Sequence, residues 1–283
     1  QTVTAPERLP ELARRAFGAV WEGRPGVVHL DVPENILNGS FEFATDALRP
    51  PATYRPVTPL TVDPSQVKTA AALLREAEFP VIHAGSGIVH AQAAAQLAAV
   101  AQALCAPVTC SWGARSVVDE GSALAIPNST LAVAKSARSR SDLFLVLGSR
   151  LGETDWWGRG HHWGGSQPDI AKRCIQVDID ASNIGRNRPA DLGIVSDVQC
   201  FLEALLKELR RQAVAPEKLA SRRDSVEQLV AEKEAVRSEL DAALANDGTP
   251  MHPAHVPVTA RQVFGDDGML VIDGGNTAVW CAH

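Results

Sequence analysis

Two apolar runs, each halted by a glycine, set the frame of this chain. One is Pro80-Val-Ile-His-Ala-Gly-Ser-Gly87 and the other is Ser141-Asp-Leu-Phe-Leu-Val-Leu-Gly-Ser-Arg-Leu151. Short apolar runs bounded by turn residues read as parallel strands buried on both faces. Around them the apolar spacing alternates between helical and strand-like. A helix is predicted from a cap at Asp63 or Ser65, with Pro64 in its first turn and Val67, Ala70, Ala71, Leu73 and Leu74 on one face. Strand 80–85, an alanine-rich helix over about 90–104 and strand 107–110 follow. A loop runs through Trp112-Gly-Ala-Arg115 to Pro127-Asn128, then helix 129–139 and strand 142–147. A glycine- and tryptophan-rich loop over 148–170 leads to strand 174–179, a turn at 181–186, a strand near 193–195 and a helix over 197–212. Strands alternating with helices predict an α/β fold, a doubly wound and mostly parallel sheet with right-handed crossovers.

The flanks break this rhythm. Pro6 to Gly23 reads as a helix with Leu9, Leu12, Ala13, Ala16, Phe17 and Val20 at helical spacing, stopped by Gly23-Arg-Pro-Gly26. Val27-Val-His-Leu-Asp-Val32 reads as a short strand ended by Pro33. No period appears from Pro33 to Asp63, which five prolines punctuate, so a domain boundary is expected near Pro50. Pro216 to Asn246 is a charged helix with a narrow apolar stripe; Thr259 to Phe264 starts another helix. Met269-Leu-Val-Ile272 reads as a strand that ends in Asp273-Gly-Gly-Asn276. The expected division is 1–49, a domain remnant with a linker; 50–212, the central domain; 213–257, a helical linker; and 258–283, the opening of another α/β domain. The outer pieces are expected to pack on the central domain, to pair with another copy, or to be poorly ordered, because strands with open edges do not persist alone. Both ends, Gln1 and His283, are expected to interrupt α/β units.

Composition narrows the class. The chain has 283 residues, 45% hydrophobic and 21% charged, enough apolar material for a core. Its formal charge of -6 gives no reason to expect a nucleic-acid or membrane-surface partner, and no apolar run reaches the length of a membrane span. The five cysteines, Cys105, Cys110, Cys174, Cys200 and Cys281, include no Cys-x-x-Cys pair, so neither structural zinc nor a disulfide framework is expected. A cytoplasmic setting fits this usage.

Ligands of open α/β sheets bind beyond the carboxyl ends of strands. Four such ends carry suggestive residues: Gly85-Ser86-Gly87, Ser111 to Arg115, Gly148-Ser149-Arg150, and Asp178 to Asp180. Glycine amides for phosphate, Arg150 or Arg115 for charge and an acidic residue for a ribose hydroxyl would together cradle a nucleotide. Position 90 is His90, so the first loop is not a Gly-x-Gly-x-x-Gly, and each glycine equally suits a tight strand-to-helix turn. Asp178 and Asp180 equally suit a turn that caps the next segment. Adjacent His161 and His162 are expected to point apart, which argues against a metal site. Trp156, Trp157 and Trp163 would cover a flat ring or pack an oligomer interface. Glu153 and Asp155 read as solvated loop charges, and no nucleophile elbow or phosphate-binding lysine loop is present.

Three stretches carry a resemblance. Gly23-Arg-Pro-Gly-Val-Val-His-Leu-Asp-Val-Pro33 resembles the end of the pyrimidine-binding domain of thiamine-diphosphate-dependent enzymes. Ser141 to Leu151, with Gln176-Val-Asp-Ile-Asp180 and Ile184-Gly-Arg-Asn187, resembles their central domain. Val271-Ile-Asp-Gly-Gly-Asn-Thr-Ala-Val-Trp280 resembles the opening of their diphosphate-binding domain. The matches come in the family's order, and the similarity is to the acetolactate-synthase-like branch. The resemblance implies a fragment of a thiamine-diphosphate- and Mg2+-dependent carboligase or decarboxylase acting on 2-oxo acids, a homodimer or homotetramer with active sites between subunits. It places the family's catalytic glutamate upstream of Gln1 and its metal-binding motif downstream of His283, so no catalytic or metal residue is assigned here and the chain alone is expected to be inactive. Asp273, Gly274, Gly275 and Asn276 match the family's first cofactor-side loop. Gly85, Ser86, Gly87, Gly148, Ser149, Arg150, Asp178 and Asp180 match positions where relatives bind FAD, ADP or nothing, and the 156–163 loop departs from the FAD-contacting pattern. The alternatives are a stand-alone FAD-, ADP- or NAD-binding module, and a purely structural assembly domain.

Overall fold

The computed structural model describes residues 1–55, 58–163, 172–245, 248–265 and 267–281. Two compact units divide the chain, Gln1–Thr61 and Val62–His283.

The second unit is built on a six-stranded, all-parallel sheet. Its strands are β1 (Pro80–Ala84), β2 (Val108–Cys110), β3 (Ala125–Ile126), β4 (Leu143–Leu147), β5 (Arg173–Asp178) and β6 (Leu192–Val195). They lie in the order β3-β2-β1-β4-β5-β6. Every residue of β1 and β4 is buried, as strands covered on both faces require. Alternate side chains of one strand therefore enter different cores. Leu143, Leu145 and Leu147 pack with Ile82 and Ala84 beneath three helices: α3 (Pro64–Glu76), α5 (Ala94–Leu104) and α7 (Val198–Arg211). Phe144 and Val146 pack with Val81 beneath α6 (Leu131–Arg140) and the first half of α8 (Pro216–Leu244).

Local chemistry sets the element ends. The Asp63 carboxylate accepts from the Ser65 amide at 2.7 Å and Pro64 opens α3; the Asp197 carboxylate accepts from the Gln199 and Cys200 amides at the start of α7. Asp142 receives the amides of Glu78 and Phe79 at 2.8 and 2.9 Å, which ties the entry of β1 to that of β4. Arg222 of α8 is fully buried. Its guanidinium donates to the carbonyls of Leu74, at 2.8 Å, and Ala77, at 2.6 Å, at the end of α3, and to that of Leu104, at 2.7 Å, at the end of α5. One side chain thus satisfies the orphan carbonyls of two helix ends.

Several expectations are corrected. The alanine-rich stretch forms two helices, α4 (Gly87–His90) and α5, because Gln92 turns into the left-handed region at φ 52°. The loop over 111–128 contains a 3-10 turn at Trp112–Val117 and the strand β3. Met269 to Ile272 forms no strand: among the described residues it pairs with no neighbour, and Met269 and Val271 are 93% and 88% exposed. Beside it lie α9 (His255–Phe264), which buries no residue, and α10 (Asn276–Cys281).

In the first unit, α1 (Leu9–Val20) and α2 (Glu34–Leu37) form a small core in which Leu12, Val3 and Ile36 are buried. Val27 to Val32 is not a strand. A single parallel bridge joins Thr2 to Asp31, and Val27 is completely exposed.

Candidate functional site

Strand order reverses between β1 and β4, so the carboxyl ends of these two strands flank the crevice where such sheets bind ligands. The two candidate loops, Gly85-Ser86-Gly87 and Gly148-Ser149-Arg150, meet there. They meet each other closely. A Cβ on Gly85 would stand 2.2 Å from the Gly148 carbonyl oxygen, and one on Gly87 would stand 2.6 Å from the Gly148 Cα. Gly148 itself has φ +56°, a conformation suited to glycine. The amides of Gly85, Gly87 and Gly148 donate to the carbonyls of Leu147, Gly148 and Val177 at 2.8, 3.1 and 2.8 Å. The glycines thus let one loop pass against the other. Of the six residues, Ser86 and Arg150 face solvent.

Beneath the loops lies a buried polar cluster that the sequence does not signal. Asp155 is 7% exposed, which corrects its reading as a solvated charge, while Glu153 is exposed as expected. Its Oδ2 accepts from the Ser111 hydroxyl at 2.7 Å and the Ser149 hydroxyl at 3.2 Å, and lies 3.5 Å from His83 Nε2. His83 Nε2 is also 3.3 Å from Ser111 Oγ, and its Nδ1 is 3.0 Å from Thr109 Oγ1. The Ser111 hydrogen is spent on the carboxylate. Nε2 therefore faces only oxygen lone pairs and carries a hydrogen. Burial raises the Asp155 pKa, but the His83 charge and the hydrogen bonds from His83, Ser111 and Ser149 outweigh it and hold the carboxyl down at about 2. This is not a hydrolytic relay, in which the carboxylate binds the histidine nitrogen remote from the serine. Here Ser111, His83 and Asp155 share one point, and Nδ1 goes to Thr109. The cluster clamps the ends of β1 and β2 to the loop that leaves β4.

The clamp holds an unusual loop. Leu151, Trp156 and Trp157 have φ of 51°, 54° and 55°, a conformation that costs non-glycine residues on the order of 1 kcal/mol or more each. Trp163 is buried and anchors the far end: its indole nitrogen donates to the Asp155 carbonyl at 2.7 Å, and its ring meets His83 edge-on at 5.0 Å. The Arg138 guanidinium lies 4.4 Å from the Trp163 ring centre, and burial lowers its pKa to about 10. His161 and His162 do not point apart. The chain makes a 3-10 turn at Gly160–Trp163, and their rings lie 3.9 Å apart, with His162 stacked on Trp156 at 3.8 Å.

At the end of β5, the buried Asp178 accepts from the Asp180 amide at 2.9 Å and from Asn183 Nδ2 at 3.2 Å; Asp180 accepts from the Ser182 amide. Gln176 Nε2 donates to the Ser149 and Asn183 carbonyls, each at 3.1 Å, and joins the β4 and β5 loops. Arg115 pairs with Glu120 at 2.8 Å. Asp273 to Asn276 are exposed, and nothing lies within 4 Å of a Cβ placed on Gly274 or on Gly275, whose φ is +83°. Backbone there is open to a ligand. All five cysteines are free, and burial pushes the Cys110 and Cys174 thiols up to about 12 and about 11, which makes them poor nucleophiles. Among the described residues no three metal-ligating side chains converge, and no helix is long and apolar enough to cross a membrane.

Comparison with known proteins adds sequence kinship to this geometry. Residues 67–205 match the family described as "Thiamine pyrophosphate enzyme, central domain". The chain is 29% identical over 294 aligned residues to an acetolactate synthase of Mycobacterium leprae, covering 99% of this chain and 43% of that protein. It is 28% identical to a glyoxylate carboligase of Escherichia coli O157:H7, covering 100% of this chain and 46% of that protein. A probable acetolactate synthase large subunit of Methanococcus aeolicus is 24% identical, covering 98% and 47%. The chain thus spans less than half the length of these curated relatives.

Proposed function

Because residues 67–205 place this chain in the thiamine pyrophosphate enzyme family, through its central domain, we propose that it serves in an acetolactate-synthase-like carboligase acting on 2-oxo acids. The observation that carries this reading is the similarity to acetolactate synthases and a glyoxylate carboligase along nearly the whole chain, beyond the central domain alone. Thiamine diphosphate, when bound, supplies the group that stabilises a carbanion, with Mg2+ as its companion ion. The residues of this chain that fit it are Asp273, Gly274, Gly275 and Asn276, where open glycine backbone admits a diphosphate. No catalytic residue or metal ligand is assigned to this chain. Its role is to hold: the sheet and the Asp155 clamp fix the crevice edge, and the 273–276 loop presents backbone.

A second ligand at the crevice, FAD or ADP, would take its polar contacts from the outward Ser86 and Arg150, because the glycine amides are spent; Ser149, Asp178 and Asp180 would act by shaping the loops. We assign the assembly as a homodimer or homotetramer, on the resemblance to enzymes whose active sites form between subunits. The free cysteines suit a reducing, cytoplasmic setting.

The test is product analysis with pyruvate or glyoxylate, thiamine diphosphate and Mg2+, by mass spectrometry. A protein that carries this chain together with the remaining length of its relatives is expected to release carbon dioxide and join the residual fragment to a second 2-oxo acid. Unchanged 2-oxo acid refutes the carboligase reading. The 283-residue chain by itself is expected to be inactive, and product formed by it alone overturns the division of roles.

A further inference from the structure

The turn that closes the tryptophan loop holds a histidine in a place that suits only its neutral form. The His162 ring is stacked on that of Trp156, with centres 3.8 Å apart and planes 14° apart, and its Nδ1 is buried with no hydrogen-bond partner. A neutral imidazole can keep its one hydrogen on Nε2 and leave Nδ1 bare, whereas the charged ring must carry a hydrogen on both nitrogens. Protonation would therefore bury an unpaired N–H that bears part of a positive charge. An indole face attracts cations, but in a parallel stack it cannot accept from the in-plane Nδ1 hydrogen.

The neighbours add to this cost. The His161 ring lies 3.9 Å away, and Lys135 and Arg138 of α6 bring positive charge to His162. Arg138 donates to the His162 carbonyl, and its own Nε is buried without a partner. Arg159, between the two turns, is directed to the Asn187 carbonyl. The loop's two acids give no relief. Asp155 is engaged by Ser111, Ser149 and His83, and the exposed Glu153 bonds to neither histidine among the described residues. Burial first, and then the charges of His161, Lys135 and Arg138, hold the His162 pKa below its ordinary value.

The segment that His162 pins has room to move. Trp156 and Trp157 are held at positive φ with both indoles about half exposed. Gly158 and Gly160 follow at φ +63° and +68°, and nothing lies within 4 Å of a Cβ placed on Gly160. The two ends are fixed, one by the Asp155 clamp and the other by the buried Trp163, whose indole bonds the Asp155 carbonyl. The Asp155 carboxyl, held at about 2, stays ionised throughout the range in which a histidine titrates.

We propose that the stack of His162 on Trp156 is a pH-sensitive latch on the loop beside the crevice, shut while His162 is neutral and released when the ring takes up a proton. Residues 156–162 then swing out between fixed ends, and the backbone of Trp156 and Trp157 relaxes. Because the shut state binds the proton less well than the open one, the latch is at full strength above the ordinary histidine value of 6.5 and weakens as pH falls below it. This goes beyond the carboligase reading and does not rest on it.

Hydrogen exchange of the full chain between about pH 8 and pH 5, read by mass spectrometry and corrected for the intrinsic pH dependence of exchange, tests it. Peptides over 152–163 are expected to lose protection about threefold or more on acidification, while β4 keeps its own. The His162 Cε1 proton, assigned by its loss in His162→Phe, is expected to titrate in the magnetic resonance spectrum with a midpoint below 6.5. His162→Phe keeps a ring on Trp156 but takes up no proton, so its loop protection is expected to stay flat with pH. Lys135→Glu, a change at an exposed position, puts a carboxylate where an ammonium stood; it is expected to raise the midpoint and blunt the loss of protection. Circular dichroism confirms that each variant is folded. Constant protection in the native chain, an equal loss in His162→Phe, or a midpoint above 6.5 overturns the latch. So does a loss shared with β4, which is opening of the whole domain. Should His162→Phe fail to fold, Lys135→Glu decides alone, and an unmoved midpoint there overturns the proposal.

Discussion

Replacing Asp155 by asparagine probes the clamp directly. In the native protein its Oδ2 meets two hydroxyl hydrogens and the hydrogen on His83 Nε2. The carboxyl is held at about 2, against an ordinary value of 3.8. That difference corresponds to roughly 2 kcal/mol of stability that only the ionised side chain supplies. A folded pKa below the unfolded one means that this contribution is complete above about pH 4 and is lost as pH falls toward 2 and below. Asparagine keeps the shape but not the charge, and leaves at least one buried donor poorly paired, for about a further 1 kcal/mol. Asp155→Asn is therefore expected to lower unfolding free energy by about 2–4 kcal/mol at pH 7. Urea unfolding followed by far-ultraviolet circular dichroism, at several pH values from 7 to 2, reads both quantities. The gap between the two proteins should narrow by roughly 2 kcal/mol across the acid range. A gap that stays constant with pH, or an asparagine variant as stable as the parent at pH 7, refutes the assignment of Asp155 as the charged centre of the cluster.

Three further outcomes are expected. Arg222→Met leaves the carbonyls of Leu74, Ala77 and Leu104 buried without donors and should cost about 3 kcal/mol, seen as a lowered thermal midpoint; an unchanged midpoint contradicts the double cap. Gly87→Ala drives a methyl to 2.6 Å from the Gly148 Cα, and should destabilise by about 1–3 kcal/mol and speed amide exchange in both loops; exchange confined to one loop contradicts their mutual packing. Asp197→Ala removes the acceptor for two amides at the start of α7 and should cost about 1 kcal/mol in the same melt, with Asp197→Asn milder.

Much of the central sheet was legible because its signals are local. Continuous apolar runs ending in glycine marked β1 and β4, and the cap Asp63 sits just ahead of the helix it starts; the cap Asp197 was not read as one. β3 escaped because two residues, Ala125 and Ile126, carry no period, and its strand character comes from its neighbour β2. Met269 to Ile272 misled for the converse reason. Apolar alternation states what a segment would bury if a ladder were offered, and none is offered. The glycines at 85, 87 and 148 were legible as places where a side chain cannot fit. Sequence does not say what fills the space, and here it is the facing loop. Asp155 was illegible because its partners, His83, Ser111 and Ser149, converge only after the sheet has formed.

The two-helix cap by Arg222 bears on where this domain can be cut. The strand–helix alternation closes at the end of α7, and a truncation made there would look complete on a diagram. It would strip the terminal carbonyls of α3 and α5 of their guanidinium, and would uncover the apolar side beneath Val226 and Leu229. The smallest piece that folds as a cooperative whole must run past Leu229. The front half of the long helix thus belongs to the very module that its far half leaves, and any exchange of this module between proteins has to carry that half along.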